Sequence, residues 1–171
     1  MILKTDRLTL RALRAEDTAD VHRLMSDPEV MAHWDVGAIE DPDLTDAIVA
    51  SQLRAAEDGS AHFWAITLTA DGEFLGLCDL SDIDRWHHRA EIGFILGRAA
   101  WGRGYGLEAM QSVVTFAAGL GLKRLTARTH VGNERSEALL VKLGFQAEGY
   151  LRGHIQRDGE RRDCRLFGLL L

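Results

Sequence analysis

A glycine-rich stretch in the second half of the chain is the strongest chemical signal in the sequence. Between Trp101 and Leu107, glycine occupies every second position: Gly102, Gly104 and Gly106. An apolar run typical of a strand precedes the stretch, and apolar residues at helical spacing follow it. Backbone N–H groups in such a loop, with the positive end of the helix dipole, suit a phosphate or pyrophosphate. The pattern therefore predicts an anion site where a strand leads into a helix, although a plain glycine-rich turn would also use these residue types.

The two common nucleotide-binding motifs do not fit this stretch. A dinucleotide-binding loop begins a βαβ unit, and an acid follows it by about 20 residues. Here the glycines lie deep in the chain, and the strand predicted near residues 122–129 carries basic residues and no acid. A triphosphate-binding loop ends in Gly-Lys-Ser/Thr, whereas this loop continues as Gly106-Leu107-Glu108. A dinucleotide-dependent enzyme is therefore a disfavoured alternative, and a different pyrophosphate ligand is indicated.

The loop resembles the acetyl-coenzyme A loop of the GNAT superfamily of N-acetyltransferases, whose pattern is Gln/Arg-x-x-Gly-x-Gly/Ala. Gly104 and Gly106 fill its two small positions, and Trp101 stands where Gln or Arg is usual. That departure is typical of the branch containing ribosomal-protein N-terminal (RimJ/RimL-like) acetyltransferases and spermidine acetyltransferases. The opening at residues 3–11 and a block from Asn133 to Gly149 are similar to the same branch. The resemblance covers essentially the whole chain.

The order of predicted elements, together with this resemblance, favours one domain spanning residues 1–171. The expected class is α/β (α+β), with a GNAT-like mixed, mostly antiparallel twisted sheet of six to seven strands and about four helices. The resemblance implies that the sheet is splayed between its fourth and fifth strands, which carry Glu91 and Ala127. The pantetheine arm of the coenzyme would lie in that opening.

Three local expectations concern the boundaries of elements. The stretch 27–45 is expected to be irregular, with Asp43 or Thr45 capping the helix that follows. Residues 81–88 are expected to form a polar connection between strands. The last two strands, at 145–151 and 163–171, are expected to pair as a hairpin.

Acetyl transfer from a thioester to an amine needs a neutral amine, a stabilised oxyanion and a proton for the leaving thiolate. Glu91 is the leading candidate for the base, directly or through water, because family members commonly have a carboxylate here. The alternative is a charged strand end that pairs with Arg89. Ser136 is the leading proton donor, because Leu140 occupies the position of the tyrosine that many GNAT enzymes use. The alternative is that Ser136 contacts only the coenzyme arm or its own helix.

The resemblance also implies the coenzyme contacts. Asn133 would bind a pantetheine amide or cap the following helix, and strand residues would contact the arm through their main chain. The candidate coenzyme residues are Phe94, Ile95, Leu96, Gly102, Arg103, Gly104, Tyr105, Gly106, Leu107 and Asn133.

Further aromatic and imidazole side chains are considered as candidates for the acceptor cleft. Trp34, Trp64 and Trp86 are candidates for its walls, and partial burial in the core is the alternative. His87 and His88 are read as surface or cleft residues. No Cys/His/Asp cluster completes a metal site around them.

Composition bounds the partners. The chain of 171 residues has a net charge of −6, which argues against non-specific nucleic-acid binding and leaves room for an amine-bearing acceptor. No apolar run approaches a membrane span, and two distant cysteines with no signal peptide favour the cytoplasm.

The expected activity is acetyl-CoA-dependent N-acetylation of a protein N-terminal α-amine or a small amine, and we also allow for a homodimer. The main alternative is a catalytically inactive, coenzyme A-binding regulatory module.

Overall fold

A computed structural model describes residues 1–171, which form one eight-stranded sheet with helices on both faces. Short 3-10 helices at Ala15–Asp17, Val30–His33 and Arg98–Ala100 join some of the longer elements. The longer elements are β1 (Ile2–Lys4), β2 (Leu8–Ala12), α1 (Thr18–Met25), α2 (Pro42–Glu57), β3 (His62–Leu68), β4 (Phe74–Asp84), β5 (Arg89–Leu96), α3 (Tyr105–Gly119), β6 (Arg124–His130), α4 (Glu134–Lys142), β7 (Gln146–Arg157) and β8 (Glu160–Leu170).

The strand order is β1-β2-β3-β4-β5-β6-β8-β7, and every neighbouring pair is antiparallel except β5 and β6. A parallel pair cannot be joined by a tight turn and needs a crossover, which α3 supplies. The glycine stretch therefore lies where the chain leaves β5 to make this crossover.

Alternation of side chains along the strands divides the core into two layers. On one face, Trp64, Leu80 and Leu125 pack with Met110 and other residues of α3. On the other face, Leu77 packs with residues of α1 and α2. The helix that follows the glycine stretch and the first two helices thus lie on opposite faces of one sheet.

The mixed, mostly antiparallel sheet with four helices is confirmed, but the sheet has eight strands rather than six or seven. The additional strand is β1, which pairs with the start of β2 at the edge of the sheet. The strands of Glu91 and Ala127, expected as the fourth and fifth, are therefore numbered β5 and β6 here.

Three boundaries differ from the expectations. Asp41 caps α2 by accepting from the Asp43 N–H (3.0 Å), and Pro42 takes the first helical position. Strand β4 continues to Asp84 through a bulge at which Asp82 adopts a left-handed conformation (φ 49°), so residues 81–84 are not a loop. The final hairpin forms, but β7 and β8 are longer than expected and meet at a tight turn around Gly159.

None of the four helices combines the length and the apolar character that crossing a lipid bilayer requires.

Candidate active site

A cleft of about 220 Å³ opens where β5 and β6 diverge. The two strands pair only from Arg89 to Glu91, and beyond that point β5 pairs with β4 alone while β6 pairs with β8. The cleft brings together four of the predicted residues, from β5 and the start of α4: Glu91, Phe94, Asn133 and Ser136. Because β5 has no partner beyond Glu91 on this side, its main chain offers free hydrogen-bonding groups along the cleft.

Glu91 shares the cleft with Asp79, a carboxylate that the sequence reading did not single out. Asp79 lies opposite Gly93 in the β4–β5 register, and Ser81 lies opposite Glu91. The Ser81 hydroxyl donates to Asp79 Oδ2 at 2.8 Å. Residues at every second position share a face, so both carboxylates point towards the α1–α2 side of the sheet.

Both carboxylates hold their protons more strongly than exposed carboxyl groups do. Burial raises the pKa of Asp79 to about 6, against the opposing effect of the hydrogen bond from Ser81. Burial also raises the pKa of Glu91, and the positive charge of Arg128 opposes that rise. A carboxylate whose pKa approaches neutrality is a better proton acceptor at physiological pH than an ordinary one.

Ser136 lines the cleft, and its hydroxyl has no hydrogen-bond partner in the protein. Asn133 caps α4, with its side-chain oxygen accepting from the Ser136 N–H at 3.3 Å. The hydroxyl itself makes no hydrogen bond to the protein, so it is not tied to the carbonyls of its own helix. The predicted capping role of Asn133 is therefore present, and its side-chain NH₂ stays free to donate.

The glycine stretch forms a bare main-chain surface at the start of α3. Gly102 (φ 72°) and Gly104 (φ 80°) both adopt the left-handed conformation that glycine tolerates best. No side chain caps the helix, and no N–H group from Gly102 to Leu107 donates to a protein acceptor. These residues do not line the cleft, but α3 runs from the loop to Met110, which does. Met110 follows Gly106 by four positions along the helix, which corresponds to a rise of about 6 Å.

A set of contacts from the chain's beginning fixes this loop. Glu108 in the first turn of α3 accepts from the Thr5 hydroxyl (2.5 Å), the Arg7 N–H (2.9 Å) and Arg7 Nε (2.7 Å). Arg7 also donates to the Arg103 carbonyl (3.0 Å) and lies over the Tyr105 ring. The sequence predicted no role for residues 3–11 beyond the resemblance, and their contacts show that they brace the glycine loop.

A family model described as Acetyltransferase (GNAT) domain matches residues 7–146. The chain belongs to the GNAT acetyltransferase family. It is therefore an N-acetyltransferase by family, as the sequence predicted. Members of this family use acetyl-CoA, and solved structures of the fold include coenzyme A complexes.

Individual relatives fall in the branch expected from the sequence. The chain is 34% identical over 169 residues to the uncharacterized N-acetyltransferase p20 of Bacillus licheniformis, covering 98% of this chain and 95% of that one. It is 30% identical to spermidine N(1)-acetyltransferase of Escherichia coli, covering 91% and 81%. An acetyltransferase of Salmonella typhimurium that modifies the N-terminal serine of ribosomal protein L7/L12 shares the fold, with a TM-score of 0.90, 20% identity and coverage of 100% and 99%.

One departure from the GNAT loop pattern has a structural explanation. The Trp101 indole N–H donates to the Leu96 carbonyl at 2.8 Å, and the guanidinium of Arg135 lies over its ring. Trp101 thus ties the end of β5 to the loop. Leu96 and Ile95 are buried in the two core layers, so only their main chain is available to a coenzyme.

The cleft and the glycine loop together have the groups that the pantetheine and pyrophosphate of acetyl-CoA would need. The loop amides are free, the edge of β5 is unpaired, and the buried hydroxyl of Thr129 lines the cleft without a hydrogen-bond partner. An unpartnered buried hydroxyl is costly, and a ligand amide would satisfy it. Arg103 makes no side-chain ion pair and is exposed beside the loop, where a phosphate could reach it.

The acceptor side of the cleft is closed by residues 30–35. Asp35 bonds His130 Nε2 (2.8 Å) and Arg128 (3.0 Å), which joins this segment to β6. Arg157 of β7 donates from Nη1 to the carbonyls of Met31 (2.7 Å) and Trp34 (2.9 Å). The sequence reading found no signal in Arg157, and its position 123 residues from Trp34 explains why.

The remaining candidates divide between site, core and surface. Trp34 lines the cleft, Trp64 is buried in the core (1% exposed), and Trp86 is 86% exposed. His87 and His88 are exposed in the turn before β5 and do not reach the cleft. Of the three tryptophans, only Trp34 stays a candidate for contact with the acceptor.

Proposed function

We propose that this protein acetylates a primary amine by direct attack of the amine on the thioester of acetyl-CoA. The observation that carries the proposal is the meeting of Asp79, Glu91 and the free Ser136 hydroxyl in one cleft beside an unpaired strand edge. Acetyl-CoA supplies the acetyl thioester. The loop from Gly102 to Leu107 would bind its pyrophosphate, and the main chain of Phe94, Ile95 and Leu96 would bind its pantetheine arm.

The chain's own groups then have distinct roles. The two carboxylates attract the acceptor ammonium, and Glu91 takes its proton, directly or through water, so that the nitrogen lone pair becomes available. Free N–H groups at the edge of β5 stabilise the oxyanion. The new N–C bond forms first, and the nitrogen then loses its second proton to solvent. As the C–S bond breaks, the Ser136 hydroxyl gives a proton to the thiolate and regains one from solvent.

Two substitutions test these roles. Glu91→Gln keeps the size of the side chain but cannot accept a proton, so we expect kcat/KM for the amine to fall by about 10²- to 10³-fold. Ser136→Ala should lower kcat by about tenfold or more without changing the affinity for coenzyme A. The rate of thiol release from acetyl-CoA measures both effects.

Glu73→Gln and Ser51→Ala are matched controls, because both residues are exposed and neither lines the cleft. Normal rates in Glu91→Gln and Ser136→Ala would contradict the assigned roles. If coenzyme A raises the melting temperature but no amine is ever acetylated, the protein is the inactive coenzyme-binding module instead.

The acceptor classes of the relatives, a polyamine and a protein N-terminus, are both primary amines and are consistent with this proposal. Cytoplasmic location and a homodimer stay predictions. Cys78 and Cys164 are buried free thiols, which agrees with a reducing compartment.

A further inference from the structure

A second cleft, of about 360 Å³, adjoins the active-site cleft on its acceptor side. His33 and His130 line both clefts, so the two spaces are continuous around these imidazoles. The other polar residues of the second cleft come from the start of β8: Arg161, Arg162 and Asp163. Nothing in the proposed acetyl-transfer chemistry uses these residues.

The two arginines are weakly compensated. Arg162 donates from Nη1 to the Ala32 carbonyl at 3.4 Å, and its nearest carboxylate is the exposed Asp158 at 3.6 Å. Arg161 donates from Nη1 to the Gly153 carbonyl at 3.0 Å and forms no ion pair. Each guanidinium carries five N–H donors, so most of them stay available to a ligand.

The one carboxylate in this cleft is already engaged. Asp163 accepts from the Tyr150 hydroxyl (2.6 Å) and from the Gly153 N–H (2.6 Å). These bonds lower the pKa of Asp163 and hold its oxygens towards β7 rather than towards the arginines. Asp163 therefore does not neutralise the basic surface as a direct ion-pair partner.

The charged groups that act on the His33 imidazole are positive. The pKa of His33 is lowered, first by burial and then by the positive charges of His130, Arg162 and Arg157. Asp35 is the charged group nearest to His130, and Arg128 shares it. A small anion placed in the second cleft would therefore meet a favourable potential and guanidinium groups suited to bind its oxygens.

The active-site cleft has the opposite character, because Asp79 and Glu91 line its floor. We propose that the acceptor is a primary amine that also carries an anionic oxygen group, a carboxylate or a phosphate. Its amine would lie beside Glu91 and its anionic group beside Arg161 and Arg162. This inference rests on the proposed function and narrows its acceptor class. A polyamine would instead bring a second ammonium towards the arginines, which costs affinity.

The test compares amines that differ only in the far group. Wild-type protein is assayed with ω-amino acids of two to six carbons, with ω-aminoalkyl phosphates, and with diamines and monoamines of the same lengths. We expect the best anionic amine to exceed the matching diamine in kcat/KM by about tenfold or more. The carboxylate and phosphate series show which anion the cleft prefers. Preference for diamines would overturn the inference while leaving the proposed function intact.

Arg162→Gln, alone and with Arg161→Gln, should lower kcat/KM for the anionic amine by about tenfold or more. It should leave kcat/KM for the monoamine, which has no anionic group, unchanged. Arg152→Gln is the matched control, because Arg152 is exposed on β7 and makes no hydrogen bond or ion pair. An equal loss for every amine would show a merely structural role and would overturn the inference.

A binding measurement separates this inference from the acetyl-transfer chemistry. The N-acetylated ω-amino acid, a product analogue, is added while the His33 imidazole is titrated by NMR. Binding of its carboxylate should raise the His33 pKa in wild type and leave it unchanged in the double variant. No response in wild type overturns the inference, even if amines are acetylated. If no amine is acetylated at all, the proposed function fails, and the His33 response still decides whether the basic cleft takes an anion.

Discussion

At the scale of single residues, the Asp79 side chain depends on its neighbour across the sheet, Gly93. A side chain at Gly93 would place a Cβ atom 2.6 Å from Asp79 Oδ1, so only glycine leaves room for this carboxylate. The space keeps Asp79 in the cleft with Glu91, where its charge is poorly solvated. The fold thus carries an energetic cost at this position, as expected where function rather than stability selects a residue.

This cost gives a prediction with a definite sign. The pKa of Asp79 is raised from 3.8 to about 6 in the folded state, so the folded protein binds more protons than the unfolded chain between these values. The contribution of Asp79 to stability should therefore fall as pH rises from about 4 to 6. Asp79→Asn removes the charge, so we expect it to stabilise the protein by about 1–3 kcal/mol at pH 7–8 and not at pH 4. Urea unfolding at several pH values measures this difference.

Asp46→Asn is the control, since Asp46 is exposed on α2 and does not line the cleft. We expect no pH-dependent gain in stability in that variant.

The activity should also depend on this group: wild-type kcat/KM should rise with pH through about 6, as the Asp79 carboxyl ionises. Asp79→Asn should lower kcat/KM. It should also move the rise of kcat/KM to lower pH, because Glu91 loses a like-charged neighbour. A variant that is both destabilised and fully active would contradict the assignment.

Among the elements, the start of α3 needs support from elsewhere in the fold. Its first N–H groups are uncapped, and its N-cap glycine has no side chain to hold the loop. Glu108 provides the support, because it receives the hydroxyl of Thr5 and two donors of Arg7. These bonds lower the pKa of the Glu108 carboxyl against the effect of its burial, so it stays ionised.

Glu108→Gln should therefore loosen the loop without touching the chemistry. An amide cannot match the charge-assisted bonds to Arg7, so we expect KM for acetyl-CoA to rise about three- to tenfold. KM for the amine should be unchanged. Steady-state kinetics with each substrate varied in turn makes the comparison.

Glu148→Gln is the control for Glu108→Gln, because Glu148 pairs with Arg124 between β7 and β6, away from the loop. A similar rise in KM for acetyl-CoA in both variants would indicate general destabilisation rather than loss of loop support.

The same elements show what local sequence could and could not predict. Hydrophobic periodicity identified the strands and helices, and the spacing of glycines identified the loop, because both signals depend on neighbouring residues. Asp79 and Arg7 were missed because their roles come from strand register and from contacts between distant segments. The bulge at Asp82 was also missed, since a polar run within a strand reads as a loop. The roles assigned to Glu91 and Ser136 stay predictions.

In the whole molecule, the proposed function gives the coenzyme and the amine separate routes to the opening between β5 and β6. The glycine loop lies on the face of α3, and the segment of residues 30–35 lies on the face of α1 and α2. Hydrogen bonds from opposite ends of the chain hold each side: Arg7 at the loop, and Arg157 at residues 31–34. The two routes should therefore respond independently to mutation.

Arg157→Gln tests this independence on the acceptor side. The Arg157 side chain is only 11% exposed and holds three carbonyls of the acceptor wall, those of Met31, Ala32 and Trp34. Its loss removes the hydrogen bonds from the guanidinium to these carbonyls, which we expect to cost about 1–3 kcal/mol of stability and to raise KM for the amine several-fold. The dissociation constant of coenzyme A, measured by calorimetry, should be unchanged, because the loop braced by Arg7 is intact. A matched loss of coenzyme affinity would mean that the two sides of the opening move as one unit, and that the acceptor wall also shapes the coenzyme site.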